Sequence, residues 1–475
     1  MRPTLVLTLL FFLASCRTSE HERGQAPLAV VGNTEISVED FERTYVTRLI
    51  SNGENDTRRS RSLHLNNLID AELLGREARR IGLDQDSVGR RKIETIRKKA
   101  AGDTYFERSF LSRLEPPGEE EIRQAFARWK EKAIVRHLFY RDSTQAEEAH
   151  LRLASGVSFL DEAQRCYRTA AYDSSAGYLG PVGYFEVDDA FAEAAFSLRQ
   201  NEFSRPVRSK FGYHIILLED KLRSPLLTES EFQVHRQGIS SKWRLRKRRL
   251  EGDRFVQSFM QGLAVRVNGE AIESLSETIH AIEKRVAADR PEVLTDESRP
   301  RPAPDISAST PLAWYTFRGE ERVFTLDDYA AWFDELPFPE ARHRTAASVG
   351  RALRNEAFAL AGQAEGLDMD PVALHEADFQ ERIYLADRMR DLLREGAPGM
   401  VTNEQIDALL EDTNVPDSTK LAVEGRLEVV RERLAPLIAE RQLLERLRSI
   451  TPVRVDSAVF EAMMAPVGSR SSRTQ

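Results

Sequence analysis

Two histidines stand in segments whose apolar residues alternate as they do in β-strands. Because alternate residues of a strand point to one side, His137 shares a face with Val135 and Phe139, and His214 with Ile216. Imidazole titrates near neutral pH, so paired histidines are candidates for general acid–base chemistry or for support of a binding pocket. A histidine on an apolar face is also commonly a core residue with satisfied hydrogen bonds. The spacing alone leaves these alternatives open.

Other reactive residue types give few candidates. Cysteine occurs only at Cys16 and Cys166, and Cys166 follows the apolar helical stretch 159–163, which favours a buried, inert thiol. The sequence has no H-E-x-x-H zinc motif, no P-loop, no G-x-G-x-x-G after a strand and no paired-cysteine metal motif. We therefore expect neither a metal nor a cofactor.

The segment 133–222 must position the two histidines, and it alternates strands with helices. A capping box at 144–147 begins a helix that Gly156 ends. The other predicted elements are a strand at 133–140, a helix at 158–166, a strand at 179–182, a helix at 190–198, and a hairpin of 206–208 with 213–219. This alternation predicts a compact α/β domain.

Three motifs in this segment resemble the parvulin family of prolyl isomerases. They are Val135-Arg136-His137-Leu138, then Leu179-Gly180 followed by Phe191-Ala192-Glu193-Ala194-Ala195-Phe196-Ser197-Leu198, and lastly Pro206-Val207 followed by Phe211-Gly212-Tyr213-His214-Ile215-Ile216. The resemblance implies a small antiparallel sheet flanked by helices. It also implies that His137 and His214 are the paired histidines of neighbouring central strands and that Asp173 lies beside the substrate carbonyl. The implied proline-pocket residues are Leu179, Val187, Phe191 and Phe211.

The implied reaction, rotation about an X–Pro bond, needs no nucleophile or cofactor. Its barrier of about 18–20 kcal/mol comes from amide resonance, and no bond breaks. A cleft that grips the proline ring, excludes water and favours the twisted amide would suffice. Two departures from the family pattern make a weak or inactive site the alternative. The loop 174–178 is short, and Pro181 and Val182 replace the usual aromatic residues.

The N-terminal residues have the pattern of an export signal. Arg2 precedes an apolar run at 4–13 that is too short to span a bilayer, and Leu13-Ala14-Ser15-Cys16 resembles a bacterial lipobox. The resemblance implies that Cys16 is acylated and anchors the protein in a membrane. An ordinary signal peptide with a chance cysteine is the alternative. Arg17 is not Asp, and by analogy with bacterial lipoproteins this favours the periplasmic side of the outer membrane if the cell has one.

The chain carries an internal repeat. Gly82-Leu83-Asp84-Gln85-Asp86 matches Gly366-Leu367-Asp368-Met369-Asp370, and Glu120-Glu121-Ile122 matches Glu404-Gln405-Ile406. The two members of each pair are 284 residues apart, and this constant spacing indicates that one helical module is duplicated. The first copy ends in Val265-Arg266-Val267-Asn268 and the second in Val453-Arg454-Val455-Asp456.

We therefore predict an α+β protein in which a mostly helical, chaperone-like module occurs twice and a parvulin-like domain is inserted in the first copy. The predicted divisions are a signal peptide at 1–15, a tether at 16–26, the first module at 27–132 and 223–272, the isomerase domain at 133–222, an extended Pro-rich linker at 273–310, the second module at 311–465 and a disordered tail at 466–475.

The helical flanks, taken with the inserted domain, resemble SurA-like and PrsA-like export chaperones. That resemblance implies a prolyl isomerase and chaperone for unfolded or nascent exported polypeptides that contain X–Pro bonds. Two alternatives stay open: a holdase with an inactive isomerase domain, and an assembly lipoprotein at the membrane. The net charge of −8 argues against nucleic acid as a partner. The basic run 242–249 is either a solvated helix face or a contact for anionic lipid headgroups.

Overall fold

The computed structural model describes residues 27–53, 55–167, 175–209, 211–223, 228–289, 307–396, 402, 404 and 427–464. The predicted signal peptide and tether, with Cys16, lie outside the described residues, as do Asp173, positions 290–306 of the linker, and the tail at 466–475.

Short strands are distributed along the whole described chain. They are β1 (Pro27–Val31), β2 (Thr34–Ser37), β3 (Glu131–Tyr140), β4 (Tyr178–Gly183), β5 (Val207–Arg208), β6 (Tyr213–Arg223), β7 (Arg266–Val267), β8 (Pro311–Phe317), β9 (Glu320–Thr325) and β10 (Val453–Val455).

Helices make up most of the remainder. They are α1 (Val38–Asn52), α2 (Arg58–Arg80), α3 (Ser87–Ser109), α4 (Glu119–Trp129), α5 (Ser143–Ala154), α6 (Phe159–Tyr167), α7 (Asp189–Ser197), α8 (Glu229–Gly262), α9 (Gly269–Asp289), α10 (Leu326–Trp332), α11 (Phe338–His343), α12 (Thr345–Ala364), α13 (Pro371–Gly396), α14 (Leu427–Ile450) and α15 (Ser457–Met464). The predicted α+β class is therefore confirmed in its coarser form, because the protein is helix-rich with small antiparallel sheets.

Two local predictions are wrong. The cap of α5 is Asp142, whose carboxylate accepts from the amides of Thr144 and Gln145, so the helix begins before the predicted capping box at 144–147. The linker does not begin at 273, because α9 runs to Asp289. Since the prolines of this stretch begin only at Pro291, nothing in 273–289 interrupts a helix.

The described residues divide into two compact units. The first draws on 1–104, 330–335 and 355–475, and the second on 105–329 and 336–354. In the first unit, β1 lies between β10 and β2 in an antiparallel sheet. The core beside this sheet joins side chains from distant parts of the sequence, among them Leu28, Phe41, Leu74, Leu385 and Leu447, each at most 4% exposed. Burial of these apolar groups is the main stabilising term in the first unit.

The second unit contains two sheets. One has the strand order β4-β3-β6-β5, and the other has the order β7-β8-β9. Helix α7 covers one face of the four-stranded sheet, and α5 and α6 cover the other face. Helices α4 and α8 pack together through Phe126, Phe232 and Ile239. Sheet β4-β3-β6-β5 is the element that positions both histidines.

Each of the two hairpins is completed by a strand from the other predicted copy of the module. Hairpin β1–β2 pairs with β10, with Ala29 opposite Val455, and hairpin β8–β9 pairs with β7, with Ala313 opposite Val267. The segment that ends each predicted copy therefore joins the hairpin that begins the other copy. The duplication, the insertion and the predicted module boundaries remain predictions, and this pairing means that the proposed modules share their sheets.

Of the helices in the described ranges, none has both the length and the apolar character that a membrane crossing would require.

Candidate active site

The two histidines meet on one face of the four-stranded sheet. Phe139 of β3 is opposite His214 of β6, and His137 is two residues from Phe139, so both imidazoles project from the same side. Their Nδ1 atoms are 3.2 Å apart, and the rings are nearly parallel with centroids separated by 5.5 Å. The predicted pairing of His137 and His214 on neighbouring strands is thus present.

Both imidazoles are neutral at pH 7. Burial, together with the nearby His214, lowers the pKa of His137 from 6.5 to about 4. Burial also lowers the pKa of His214, although the negative charge of Asp188 acts in the opposite direction. Two buried cations this close would repel each other and would lack solvation, so the neutral pair is the stable state.

A short hydrogen-bond chain fixes the histidine pair. The amide of Phe211 donates to Ser209 Oγ over 3.0 Å, and Ser209 Oγ is 2.8 Å from His214 Nε2. Two proton arrangements fit these contacts: Ser209 donates to Nε2 and His214 Nδ1 donates to His137 Nδ1, or both directions are reversed and Ser209 donates to the carbonyl of Gly212. Sequence reasoning missed Ser209, whose only signal is a hydroxyl directly after β5.

A cleft lies over the histidines, and its lining combines apolar side chains with charged ones such as Asp188 and Arg208. Phe191 of α7 is 4% exposed and stands edge-on to His214, with ring centroids 5.4 Å apart. At the rim, Leu179 is 46% exposed and Phe211 is 63% exposed, although both are apolar. All four predicted pocket residues and both histidines line one cleft of about 1280 Å³; the pocket residues are Leu179, Val187, Phe191 and Phe211.

Two glycines allow the backbone to come close to the histidine strand. A Cβ on Gly177 would lie 2.5 Å from the carbonyl oxygen of His137, and Gly177 also has a left-handed φ of 72°. A Cβ on Gly212 would lie 2.7 Å from the carbonyl oxygen of Tyr140. Neither contact is tolerable for another residue, so these glycines set the shape of the site.

The remaining predicted site residues have different outcomes. Asp173 lies outside the described residues, so its role stays a prediction. Cys166 is half-buried, its thiol donates to the carbonyl of Phe139, and burial raises its pKa. A protonated thiol is a poor nucleophile, in keeping with the inert role expected for it. Within the described ranges, no group of three or more His, Cys, Asp or Glu side chains is arranged to hold a metal ion.

Sequence reasoning also missed a second wall of the cleft. Arg249, Leu250, Asp253, Val256 and Gln257 of α8 line the same cavity as the histidines. The basic run 242–249 is therefore not simply a solvated face: Arg246 is fully buried, and Arg249 forms a bidentate ion pair with Asp189. A single sequence carries no signal for this, because the acidic partner is distant along the chain.

Comparisons with known proteins show what the module is similar to. Residues 141–220 match the family model of the rotamase, PPIC-type PPIASE domain. The foldase protein PrsA of Bacillus subtilis is 36% identical over 129 residues, which cover 26% of this chain and 39% of that protein. The foldase protein PrsA of Geobacillus kaustophilus is 29% identical over 116 residues, which cover 24% of this chain and 41% of that protein.

A solved PpiC-type peptidyl-prolyl cis-trans isomerase domain covers 20% of this chain and 95% of that domain, at 21% identity and a TM-score of 0.19. Matches to the foldases span 35% to 42% of the relatives' own length. The family model and the foldase matches thus confirm, for this module, the predicted resemblance to parvulin-type peptidyl-prolyl isomerases.

Proposed function

We propose that this chain is a parvulin-type prolyl isomerase and a chaperone that assists the folding of exported polypeptides at a membrane. The observation that carries the isomerase proposal is the neutral histidine pair beneath a cleft whose apolar part is formed by Phe191, Leu179 and Phe211. Rotation about an X–Pro bond needs no nucleophile because no bond breaks.

The geometry suits a reaction that depends on selective binding. Phe191, Leu179 and Phe211 form an apolar surface for the proline ring, and the hydrogen-bonded histidines form its rigid polar floor. Because the imidazoles are neutral, the floor stays desolvated at little cost. A thousandfold acceleration requires the cleft to favour the twisted amide over the planar one by about 4 kcal/mol. Asp173, placed beside the carbonyl by the family resemblance, would act electrostatically on the rotating group.

Exchange measurements on an X–Pro peptide test the proposal. The chain from residue 17 onward should accelerate cis–trans exchange, measured by magnetisation transfer. Phe191→Ala should lower kcat/KM by about tenfold or more, because a buried aromatic side chain contributes about 1.5–3 kcal/mol of apolar contact. Val88→Ala, an exposed apolar residue on α3, is the matched control. Exchange at the uncatalysed rate in the unaltered chain would overturn the isomerase assignment.

A holdase without isomerase activity is the second candidate. Exposed apolar side chains on the described helices favour it, because such groups are available to unfolded clients. They include Ile50, Val234, Met369 and Val372, each at least 70% exposed. If Phe191→Ala suppresses aggregation of an unfolded client as well as the unaltered chain does, the chaperone function is independent of the cleft. An assembly role at the membrane would predict that neither activity is present.

The membrane location is part of the same proposal. It rests on the lipobox-like Leu13-Ala14-Ser15-Cys16, with the acyl chains on Cys16 as the anchor. Cys16→Ser should abolish lipid attachment and release the mature protein from membranes. Mass spectrometry of the membrane-extracted protein decides the matter, since an unacylated N-terminus beyond Cys16 would exclude the anchor.

A further inference from the structure

Three groups of residues line the cleft. Leu179, Phe191 and Phe211 belong to the matched isomerase module. Residues of α8, beyond the end of that module, form a second wall, and Glu340, Arg344 and Arg351 line the remainder. The α8 residues are Arg249, Leu250, Asp253, Val256 and Gln257. Counted from Arg249, the other four stand one, four, seven and eight residues further on, which places them on one helical face. A polypeptide whose proline lies in the pocket can therefore contact this face.

Helix α8 is held firmly from another side. Phe255 packs on Phe110 with ring centroids 5.4 Å apart and on Phe106 at 5.7 Å. A Cβ on Gly252 would lie 3.3 Å from the ring of Phe110, so helix and ring are in close contact there. These aromatic contacts support the part of α8 that lines the cleft, which makes it a fixed surface within the second unit.

One turn before the cleft-lining residues, Arg246 inserts its side chain into the isomerase module. It has no exposed surface, and its guanidinium donates to the carbonyl of Tyr184 over 2.8 Å and to the carbonyl of Asp189 over 2.9 Å. It also donates to Glu193 Oε1 over 3.1 Å and lies 3.9 Å above the ring of Tyr184. Such a set of planar and forked contacts fits guanidinium and does not fit the ammonium group of lysine.

The two carbonyls that Arg246 binds mark the ends of segment 184–189. This segment carries the cleft residues Phe185, Glu186, Val187, Asp188 and Asp189. Arg249 binds the same segment through the carboxylate of Asp189, at 2.7 Å and 3.1 Å. Two arginines of one helix thus hold both the backbone and a side chain of the segment that shapes the pocket.

We infer that α8 is the second wall of the isomerase cleft, that it binds the residues flanking the proline of an extended substrate, and that Arg246 is the positioning residue for this wall. The inference rests on the proposed isomerase function and specifies its substrate class: unfolded segments longer than the few residues around the proline. A peptide of about ten residues extends over about 33 Å and would contact both walls, whereas a tetrapeptide fills only the pocket. Binding energy from the flanking residues is expressed mainly in KM.

The first test compares Arg246→Met with Arg248→Met in the full chain from residue 17. Arg248 is an exposed neighbour on the same helix and serves as the matched control. We expect Arg246→Met to raise KM for an X–Pro decapeptide by about tenfold, since hydrogen bonds to a charged donor are lost, while kcat changes less than about twofold. Arg248→Met should leave both constants unchanged. An unaltered KM in a folded Arg246→Met variant would overturn the positioning role.

A second pair of variants keeps the test decisive if Arg246→Met fails to fold. Val256→Asp alters the cleft-facing side of α8, and Val234→Asp alters a 75% exposed position of the same helix. Val256→Asp should raise KM for the decapeptide several-fold more than KM for the tetrapeptide, and Val234→Asp should change neither KM. Equal effects of Val256→Asp on both peptides, or no effect, would overturn the second wall.

The isomerase proposal and this inference fail separately. If the unaltered chain does not accelerate exchange, the isomerase proposal is wrong, and the wall is then judged from the Kd of the same decapeptide, measured by NMR titration. Weaker binding by Val256→Asp than by Val234→Asp would still support the wall. Identical Kd values would overturn it.

Discussion

The two faces of the four-stranded sheet are used for different purposes by adjacent residues. Leu138 and Ile215 are fully buried against α5 and α6, whereas their neighbours His137 and His214 project from the opposite face into the cleft. On the first face, apolar side chains of the sheet and both helices pack into one buried cluster. On the second face, packing stops at Phe191 and leaves room for a ligand. Because strand residues alternate between faces, one strand supplies both stability and a site, and substitutions one position apart should have separable effects.

The largest effect is expected on the packed face. Leu138→Ala should lower the free energy of unfolding by about 2–5 kcal/mol, because it leaves a cavity between the sheet and α5. KM for an X–Pro peptide should stay within about twofold, since Leu138 does not line the cleft. Leu151→Ala on the exposed side of α5 is the matched control. Chemical denaturation measures the stability, and a changed KM without lost stability would break the division between the faces.

The second effect concerns the buried carboxylate on the same face. Glu162 has no exposed surface, accepts two hydrogen bonds from Arg152 at 2.9 Å and 2.7 Å, and accepts a third from Tyr140. Glu162→Gln should cost about 2 kcal/mol of stability, because it leaves a buried polar network partly unpaired. Glu148→Gln, which removes a distant and exposed partner of Arg152, should cost less than about 0.5 kcal/mol. Equal losses in thermal or chemical unfolding would show that Arg152 pairs with both carboxylates alike.

The third effect is a pH dependence that should come from the cleft face. The pKa of His137 is about 4 in the folded state and 6.5 in its ordinary state, so the unfolded chain binds a proton more readily. The contribution of His137 to the free energy of unfolding is therefore complete above pH 6.5. It declines as the pH falls toward 4 and changes no further below that value. His137→Gln should flatten this part of the profile of unfolding free energy against pH. An identical slope in the variant would assign the dependence to other groups.

The smallest effect is expected at Ser209. Ser209→Ala removes the hydroxyl that contacts His214 Nε2, and the lost hydrogen bond is worth about 1 kcal/mol, or about fivefold in kcat/KM. Ser197→Ala, at an exposed position at the end of α7, should change nothing. If Ser209→Ala matches the unaltered enzyme, the hydrogen-bond chain does not fix the histidine pair.

The sequence allowed the cleft face of the sheet to be predicted because its information is local. Alternation placed His137 and His214 on strand faces, and the motifs around them predicted residues that line the same cleft. The second wall was not predictable in this way. Arg246 belongs to a basic run that does not differ in sequence from a solvated helix face. Its burial depends on Tyr184 and Asp189, which only the tertiary structure brings near.

Some helices were also missed for a physical reason. Helix α3 contains Gly89 and Gly102, residues that disfavour a helix when considered alone. At Gly102 a Cβ would lie 3.0 Å from the backbone nitrogen of Ala359, so the glycine allows two helices to approach closely. Tertiary packing thus outweighs the local propensity, and a single sequence does not distinguish this glycine from a helix break.

Each hairpin pairs with a strand from the other predicted copy, and this pairing sets the order in which the sheets can form during synthesis. A ribosome makes the chain from its N-terminus, so β1 and β2 are synthesised long before β10. Directly after β10, the backbone amide of Asp456 donates to the carbonyl of Leu28 in β1. Until then the hairpin is a two-stranded ribbon with an open edge, an arrangement that is marginal alone and prone to pair with other chains. Hairpin β8–β9 has no such delay, because β7 precedes it in the chain. A protein that we propose to guard unfolded polypeptides thus passes through a vulnerable stage of its own, which ends only when its last strand is available.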